Sequence, residues 1–171
     1  MKELYTYSSL QSDLQLFLGY VNIQSFYYFL AFDTLYNTGC RPAELFSANR
    51  WQKYDSNQVT LQPLKGNNIR YIDKSVLNAQ VFTSIEQGEI ITAKLSRPTL
   101  ERYFLNSYPA RPTFILSTAN FADIGLYLFR HFAFKRKFLE TGSRTETGNY
   151  FGEIDIKNTN NYIDSALYFT P

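Results

Sequence analysis

Arg41 is the first residue along the chain whose type and setting could do chemistry. It stands in Thr38-Gly39-Cys40-Arg41-Pro42-Ala43-Glu44-Leu45, after an apolar run from Ile23 to Tyr36 that reads as a helix. Asn37, Thr38 and Gly39 supply the stop for that helix. Pro42 suits the first position of a new helix, and Glu44 is favourable in its first turn. Arg41 is therefore expected where backbone N–H groups point outward, with a guanidinium able to give a fork of charge-assisted hydrogen bonds to an anion such as phosphate. An arginine paired with Glu44 at the corner between two helices satisfies the same eight residues, and they do not choose between the two. Lys65 stands at the tip of a predicted hairpin, a place for a solvated edge lysine or for an amine that reaches into a DNA groove. Tyr127 and Arg130 lie three apart on a predicted helix and are neighbours on its surface. Lys135, Arg136 and Lys137 follow on the same helix as a solvated basic face, and Cys40 reads as small and buried.

These residues need a scaffold, and the composition bounds it. The 171 residues, 44% hydrophobic, fit one folded domain with a sizeable core. With 14 Tyr and 15 Phe, an isolated tyrosine is a packing residue until something else singles it out. A net charge of +2 is too weak to assign a nucleic-acid partner by itself. One cysteine excludes an intramolecular disulfide framework, and with one histidine, His131, no cluster with zinc spacing forms, so no metal or other cofactor is expected. Asp33 interrupts the longest apolar run, residues 21–36, and Lys2 and Glu3 are followed by Tyr and Ser instead of an apolar segment. No membrane span or signal peptide is expected, and the reading is a cytoplasmic protein.

Helices carry most of the frame. Leu10, Leu14, Phe17 and Leu18 recur at helical spacing and Gly19 is expected to close that helix; a short helix follows from Pro42 to Ala48. Trp51 to Tyr54, Val59 to Leu64 and Arg70 to Ile72 are rich in aromatic or β-branched residues and are separated by turn residues. They predict a three-stranded antiparallel meander with Lys65 at its second turn. Further helices are expected over Ser75 to Ile85, from Pro98 until Pro109 and Pro112, over Ala122 to Thr141, over Thr145 to Gly152, and over Asp155 to Ile163. Phe114 to Leu116 is a brief apolar segment. The fold class is α+β: mainly α-helical with a small three-stranded antiparallel sheet.

Four pieces of sequence, taken in order, resemble the catalytic domain of the tyrosine recombinases, the phage-integrase family. TGCRPAEL resembles the family's first arginine box. Leu64-Lys65-Gly66-Asn67-Asn68-Ile69-Arg70-Tyr71-Ile72 resembles its lysine turn and the basic strand after it, and Leu128-Phe129-Arg130-His131-Phe132 is similar to the second arginine box. Tyr150-Phe151-Gly152-Glu153, with Tyr162 nine residues after Glu153, resembles the last box and its nucleophile. The resemblance covers Ile23 to Tyr168, and Tyr168 is the fallback nucleophile. Two positions depart from the family pattern: Tyr127 stands where a histidine is usual, and Glu153 stands where the family has histidine or tryptophan.

The resemblance implies DNA strand cleavage and rejoining. Tyr162 would attack the scissile phosphate and keep the 3′-phosphate as a covalent ester, conserving the bond energy without ATP. Arg41 and Arg130 would clamp the non-bridging oxygens, and Lys65 would protonate the departing 5′ oxygen. Tyr127 would bond the phosphate or assist proton transfer, Glu44 would orient Arg41, His131 would support Arg130 from behind, and Arg70 would contact DNA beside Lys65. A carboxylate at Glu153 repels a phosphodiester unless it raises its own pKa or turns toward an arginine, and it is expected to orient Tyr162 or Arg130. The implied partners are double-stranded DNA and further copies of the chain, as dimer or tetramer. The chain reads as a single catalytic domain over residues 1–171, with residues 1–20 too short for the family's N-terminal DNA-gripping domain. Two other readings use the same residues: a catalytically silent DNA-binding or assembly module, to which Glu153 and Tyr127 point, and a topoisomerase-like nicking and resealing activity.

Overall fold

The computed structural model describes residues 7–64, 67–107 and 125–164. Helices α1 (Tyr7–Gln24) and α2 (Phe26–Thr38) pack against each other through stripes that include Leu10, Leu14, Phe17 and Val21 on one side and Leu30, Leu35 and Phe32 on the other. Gly19 does not end α1 as expected. A glycine inside a helix costs about 1 kcal/mol, and burial of Leu18 and Val21 on either side of it carries the helix through. Ser25 makes the break instead, its hydroxyl accepting the Tyr28 N–H at 3.4 Å as the N-cap of α2.

The helix α3 (Pro42–Leu45) is shorter than its expected span to Ala48, and a 3-10 turn over Ala48–Arg50 follows. The Glu44 carbonyl accepts the Ser47 N–H at 3.2 Å and the Trp51 indole N–H at 2.9 Å, which takes the acceptor that another α-helical turn would use. Strands β1 (Trp51–Lys53), β2 (Gln58–Leu61) and β3 (Arg70–Asp73) form the expected meander, antiparallel in the order β1-β2-β3, with Trp51 opposite Leu61 and Leu61 opposite Arg70. Strand β2 ends three residues earlier than expected, before Pro63, which has no N–H to give a ladder. Asp73 then caps a 3-10 turn over Lys74–Val76, and Asn78 caps α4 (Ala79–Glu86), so the single helix expected from Ser75 is two pieces.

Helices α5 (Arg97–Ser107), α6 (Tyr127–Thr141), α7 (Arg144–Tyr150) and α8 (Ile156–Ile163) complete the described frame. Gly142 stops α6, as its sequence predicts, and Ser143 and Asp155 cap α7 and α8. The segment Phe114 to Leu116, the expected helix end at Pro109 and Pro112, and residues 122–124 of the expected long helix lie outside the described residues.

Two apolar clusters meet along α6. The larger gathers α1, α2, α5 and the inner face of the sheet, with Phe17 packed edge-on against Phe32 at 4.9 Å and against Phe104 at 5.2 Å. The smaller consists of Ala133, Phe134, Phe151 and Ile163, with Phe138 and Tyr162 packed on it. Leu128, Phe129 and Phe132 of α6 face the first cluster and Ala133 and Phe134 the second, and the buried side chain of Arg130 shares that helix.

Candidate active site

Arg41 opens α3 in extended backbone conformation, held there by Glu44: one carboxylate oxygen accepts the Arg41 backbone N–H at 2.7 Å and the other accepts Nη1 at 3.0 Å. The pairing with Glu44 and the capacity to reach an anion are thus not alternatives. Nη2 remains for a second partner, and that partner is Oε1 of Glu153 at 2.5 Å. Burial acts to lower the Arg41 pKa, and the charges of Glu153 and Glu44 more than offset it, so the net shift is upward. Glu44 also accepts the backbone N–H of Leu64 at 3.2 Å, which ties α3 to the β2–β3 hairpin.

Arg130 arrives at the same oxygen from α6. Its Nη2 donates to Glu153 Oε1 at 2.6 Å and its Nη1 to the Gly39 carbonyl at 2.6 Å, with the residue only 1% exposed. The guanidinium carbon lies 4.9 Å from the ring centres of both Phe134 and Tyr162, so rings cover what the acceptors do not. Gly39 is required in two ways. Its φ of 59° is left-handed, and a Cβ there would come within 2.5 Å of Ala133 Cβ and 2.8 Å of the Phe151 ring. That close approach lets its carbonyl reach Arg130.

Glu153, the position least expected to sit among phosphate ligands, is at the centre of the cluster with its side chain fully buried. Its turn is built by Gly152 at φ 71° and by a bond from the Glu153 N–H to the Gly148 carbonyl at 2.9 Å. Oε1 serves both arginines. Oε2 faces the amides of Asn67 at 3.4 Å and Asn158 at 3.5 Å, the first from the β2–β3 hairpin and the second from α8. The Gly152 carbonyl also accepts the Asn68 N–H at 3.0 Å, a second tie to that hairpin. Of the two outcomes open to this carboxylate, it has turned toward the arginines.

Tyr162, on α8, is half-buried. Its ring stacks on Phe134 at 4.4 Å and meets His131 edge-on at 4.9 Å, and its phenol is within electrostatic range of Arg41. His131 lies next to Arg130 in sequence and packs on the Tyr162 ring; burial, opposed by the nearby Tyr162 backbone and aided by the Arg130 charge, lowers its pKa to about 4. It is a neutral support at ordinary pH. Cys40, buried near Glu44, Arg70 and Arg130, is inert, its thiol pushed up to about 12 chiefly by burial.

Arg41, Arg130, Glu44, Glu153, His131 and Tyr162 therefore come together. Tyr127 does not join them by any hydrogen bond or ion pair among the described residues; the Arg97 guanidinium of α5 lies 5.7 Å from its ring centre. Arg70 requires a correction. It was expected to face DNA, but alternation along β3 turns it inward with Ile72 while Tyr71 and Asp73 face out, and it is 3% exposed. Its Nη2 donates to the Thr38 carbonyl at 2.7 Å, its guanidinium packs 5.0 Å from the Phe151 ring centre, and burial followed by repulsion from Arg130 lowers its pKa to about 10. Lys65 and Tyr168 lie outside the described residues. Sequence reasoning missed Asn67, Asn158 and the aromatic bed of Phe134 and Phe151. Nothing local marks the asparagines, whereas Phe134 follows Arg130 by one helical turn and could have been read as its cover.

No family model matches the sequence, and no curated protein matches it. Among solved structures, the fold is similar to that of a lambda integrase(75-356) dimer bound to a COC′ core site, with a TM-score of 0.64 and 16% identity. The match covers 95% of this chain, which spans 59% of that one. At that identity the likeness is one of fold.

Proposed function

We propose that this chain is the catalytic domain of a site-specific DNA strand-exchange enzyme, an integrase or recombinase of a phage or other mobile element. The observation that carries the reading is the convergence of Arg41 and Arg130, from different helices, on a single anionic oxygen beside the ring of Tyr162. Two guanidinium groups arranged around one oxyanion suit a phosphodiester, whose charge rises toward a pentacoordinate transition state. The fold shared with a DNA-bound integrase supports double-stranded DNA as the substrate and self-association on it.

In this mechanism the Tyr162 phenol gives its proton to solvent as its oxygen attacks the scissile phosphorus in line with the 5′ oxygen. The new bond is a 3′-phosphotyrosyl ester, and the bond that breaks is the one to the 5′ oxygen, which takes a proton from Lys65. Rejoining reverses the step: a 5′ hydroxyl attacks the ester, Tyr162 leaves and recovers a proton, and no nucleotide is consumed. Arg41 and Arg130 hold the non-bridging oxygens throughout. Glu44 fixes Arg41, and His131 packs against the Tyr162 ring.

A second reading is favoured by one observation, the carboxylate of Glu153 already standing between the arginines: a DNA-binding or assembly module that no longer cuts. The two are separated by incubating the protein with a pool of random-sequence, labelled duplexes carrying a nick, which traps a covalent intermediate by loss of the short 5′-hydroxyl strand. A label that stays with the protein through denaturation, and is lost in Tyr162→Phe, is expected. Salt-sensitive DNA binding with no trapped label in the wild type would leave the silent module.

A further inference from the structure

Glu153 is bound as an anionic ligand would be, by groups that belong to four different segments. Its Oε1 is the shared acceptor of Arg41 and Arg130, while Oε2 faces Asn67 and Asn158. Asn67 is two residues from Lys65, and Asn158 is one helical turn from Tyr162 on α8. The ions within this cluster are three arginines, Arg41, Arg70 and Arg130, against two carboxylates, Glu44 and Glu153. Removing the Glu153 charge with nothing in its place would leave Arg41 and Arg130 facing each other across a seat shielded from water, a costly state. A phosphodiester carries the same single negative charge, so replacing Glu153 by DNA phosphate keeps the balance of the cluster unchanged.

We propose that Glu153 is a positioning residue that occupies the phosphate seat as an internal surrogate, and that a DNA phosphodiester enters by exchange with it. With DNA absent, the carboxylate keeps both guanidinium groups aimed at one point and holds the Asn67 end of the β2–β3 hairpin and the Tyr162 helix to the same centre. When the phosphate takes the place of Oε1, the carboxylate must turn out, and its hold on Asn67 and Asn158 goes with it. The arrival of substrate thus releases the two segments that carry the proton donor and the nucleophile. The inference rests on the phosphodiester reading of the site, and it adds to it a self-occupied ground state that weakens DNA binding until exchange occurs.

The test compares the wild type with Glu153→Gln, which keeps the shape and the amide-facing oxygen but removes the charge. Inorganic phosphate serves as the minimal probe and random-sequence duplex DNA as the full one. Phosphate is expected to raise the Tm of the variant and to leave that of the wild type unmoved, because only in the variant is the anion seat held by a neutral group that an anion can outcompete. DNA affinity of the variant should rise by about tenfold, the effect of about 1.4 kcal/mol of competition removed, and the dependence of log affinity on log salt should steepen by about one. A purely structural carboxylate would give a less stable protein whose phosphate response and salt slope equal the wild type's. A variant that folds only when phosphate is present gives the supporting result by rescue. If it folds in neither condition, Asn158→Ala decides: loosening Oε2 alone should raise DNA affinity by about twofold or more, and unchanged affinity overturns the surrogate role. Phosphate rescue without any trapped DNA intermediate would retain the surrogate and remove strand cleavage, whereas a trapped intermediate with identical phosphate responses would do the reverse.

Discussion

The two buried clusters that meet along α6 are held together in different ways. The larger, around Phe17, Phe32, Phe104 and Phe129, contains rings packed on rings, and each contact stabilises it without regard to charge. The smaller, around Phe134, Phe151 and Ile163, covers a set of ions whose mutual attraction must offset the cost of taking them out of water. The first cluster has one good arrangement. The second contains an anion that can in principle be exchanged for another, which is what a binding site needs and a core does not. Gly39 stands at their junction, its missing Cβ admitting Ala133 and Phe151 while its carbonyl receives Arg130.

The sharpest way to break this contrast is to damage each cluster by a similar amount and ask which loss responds to ions. Phe104→Ala empties space in the larger cluster and should cost about 3–5 kcal/mol in urea unfolding, equally in low and high salt. Arg130→Ala should cost a similar amount, about 3–5 kcal/mol, by leaving the buried Glu153 with Arg41 as its one ion-pair partner and the Gly39 carbonyl without its donor. Its loss should shrink in Arg130→Ala, Glu153→Gln, where the buried carboxylate that needed the second cation is gone and Arg41 keeps Glu44. A double variant as unstable as the sum of its parts would place the arginine with the packing residues instead.

A smaller effect should appear with pH. His131 is neutral in the folded protein, with a pKa of about 4 against its ordinary value of 6.5. Between those values the unfolded chain binds a proton that the folded chain refuses, so stability falls as pH is lowered from 6.5 toward 4, by up to about 3 kcal/mol. Denaturant titrations at pH 7 and pH 4.5 should show a steeper decline for the wild type than for His131→Gln; parallel declines would mean that the imidazole is solvated. The smallest change lies far from the ions. Ser25→Ala removes the cap of α2 and should lower stability by about 1 kcal/mol at every pH, with DNA affinity unaffected.

How far the sequence anticipates each part follows from how local its cause is. The turn at Gly39, the start of α3 at Pro42, the meander and the stop of α6 at Gly142 depend on neighbours within a few residues, and each is visible in the chain. The end expected at Gly19 fails because burial of Leu18 and Val21 outweighs the weakness of one glycine. Arg70 was readable in part: strand alternation puts it on the side of Ile72, and reading a basic residue as a surface residue obscured that. The geometry of Glu153 could not be read locally. Three of its four side-chain partners, Arg41, Asn67 and Arg130, lie more than twenty positions away, and only the folded chain says which arginine it faces. Its chemistry did narrow the choice, since a buried carboxylate needs a cation.

The most direct test of the account is to locate the DNA on the protein. After trapping on the nicked duplex pool, nuclease trimming and cleavage after Lys157, fragmentation of the peptide spanning residues 158–171 distinguishes its two tyrosines, Tyr162 and Tyr168. The account predicts a nucleotide mass on Tyr162 in the wild type, and more of it in Glu153→Gln. The same mass on Tyr168, or no modified peptide from either protein, would contradict it.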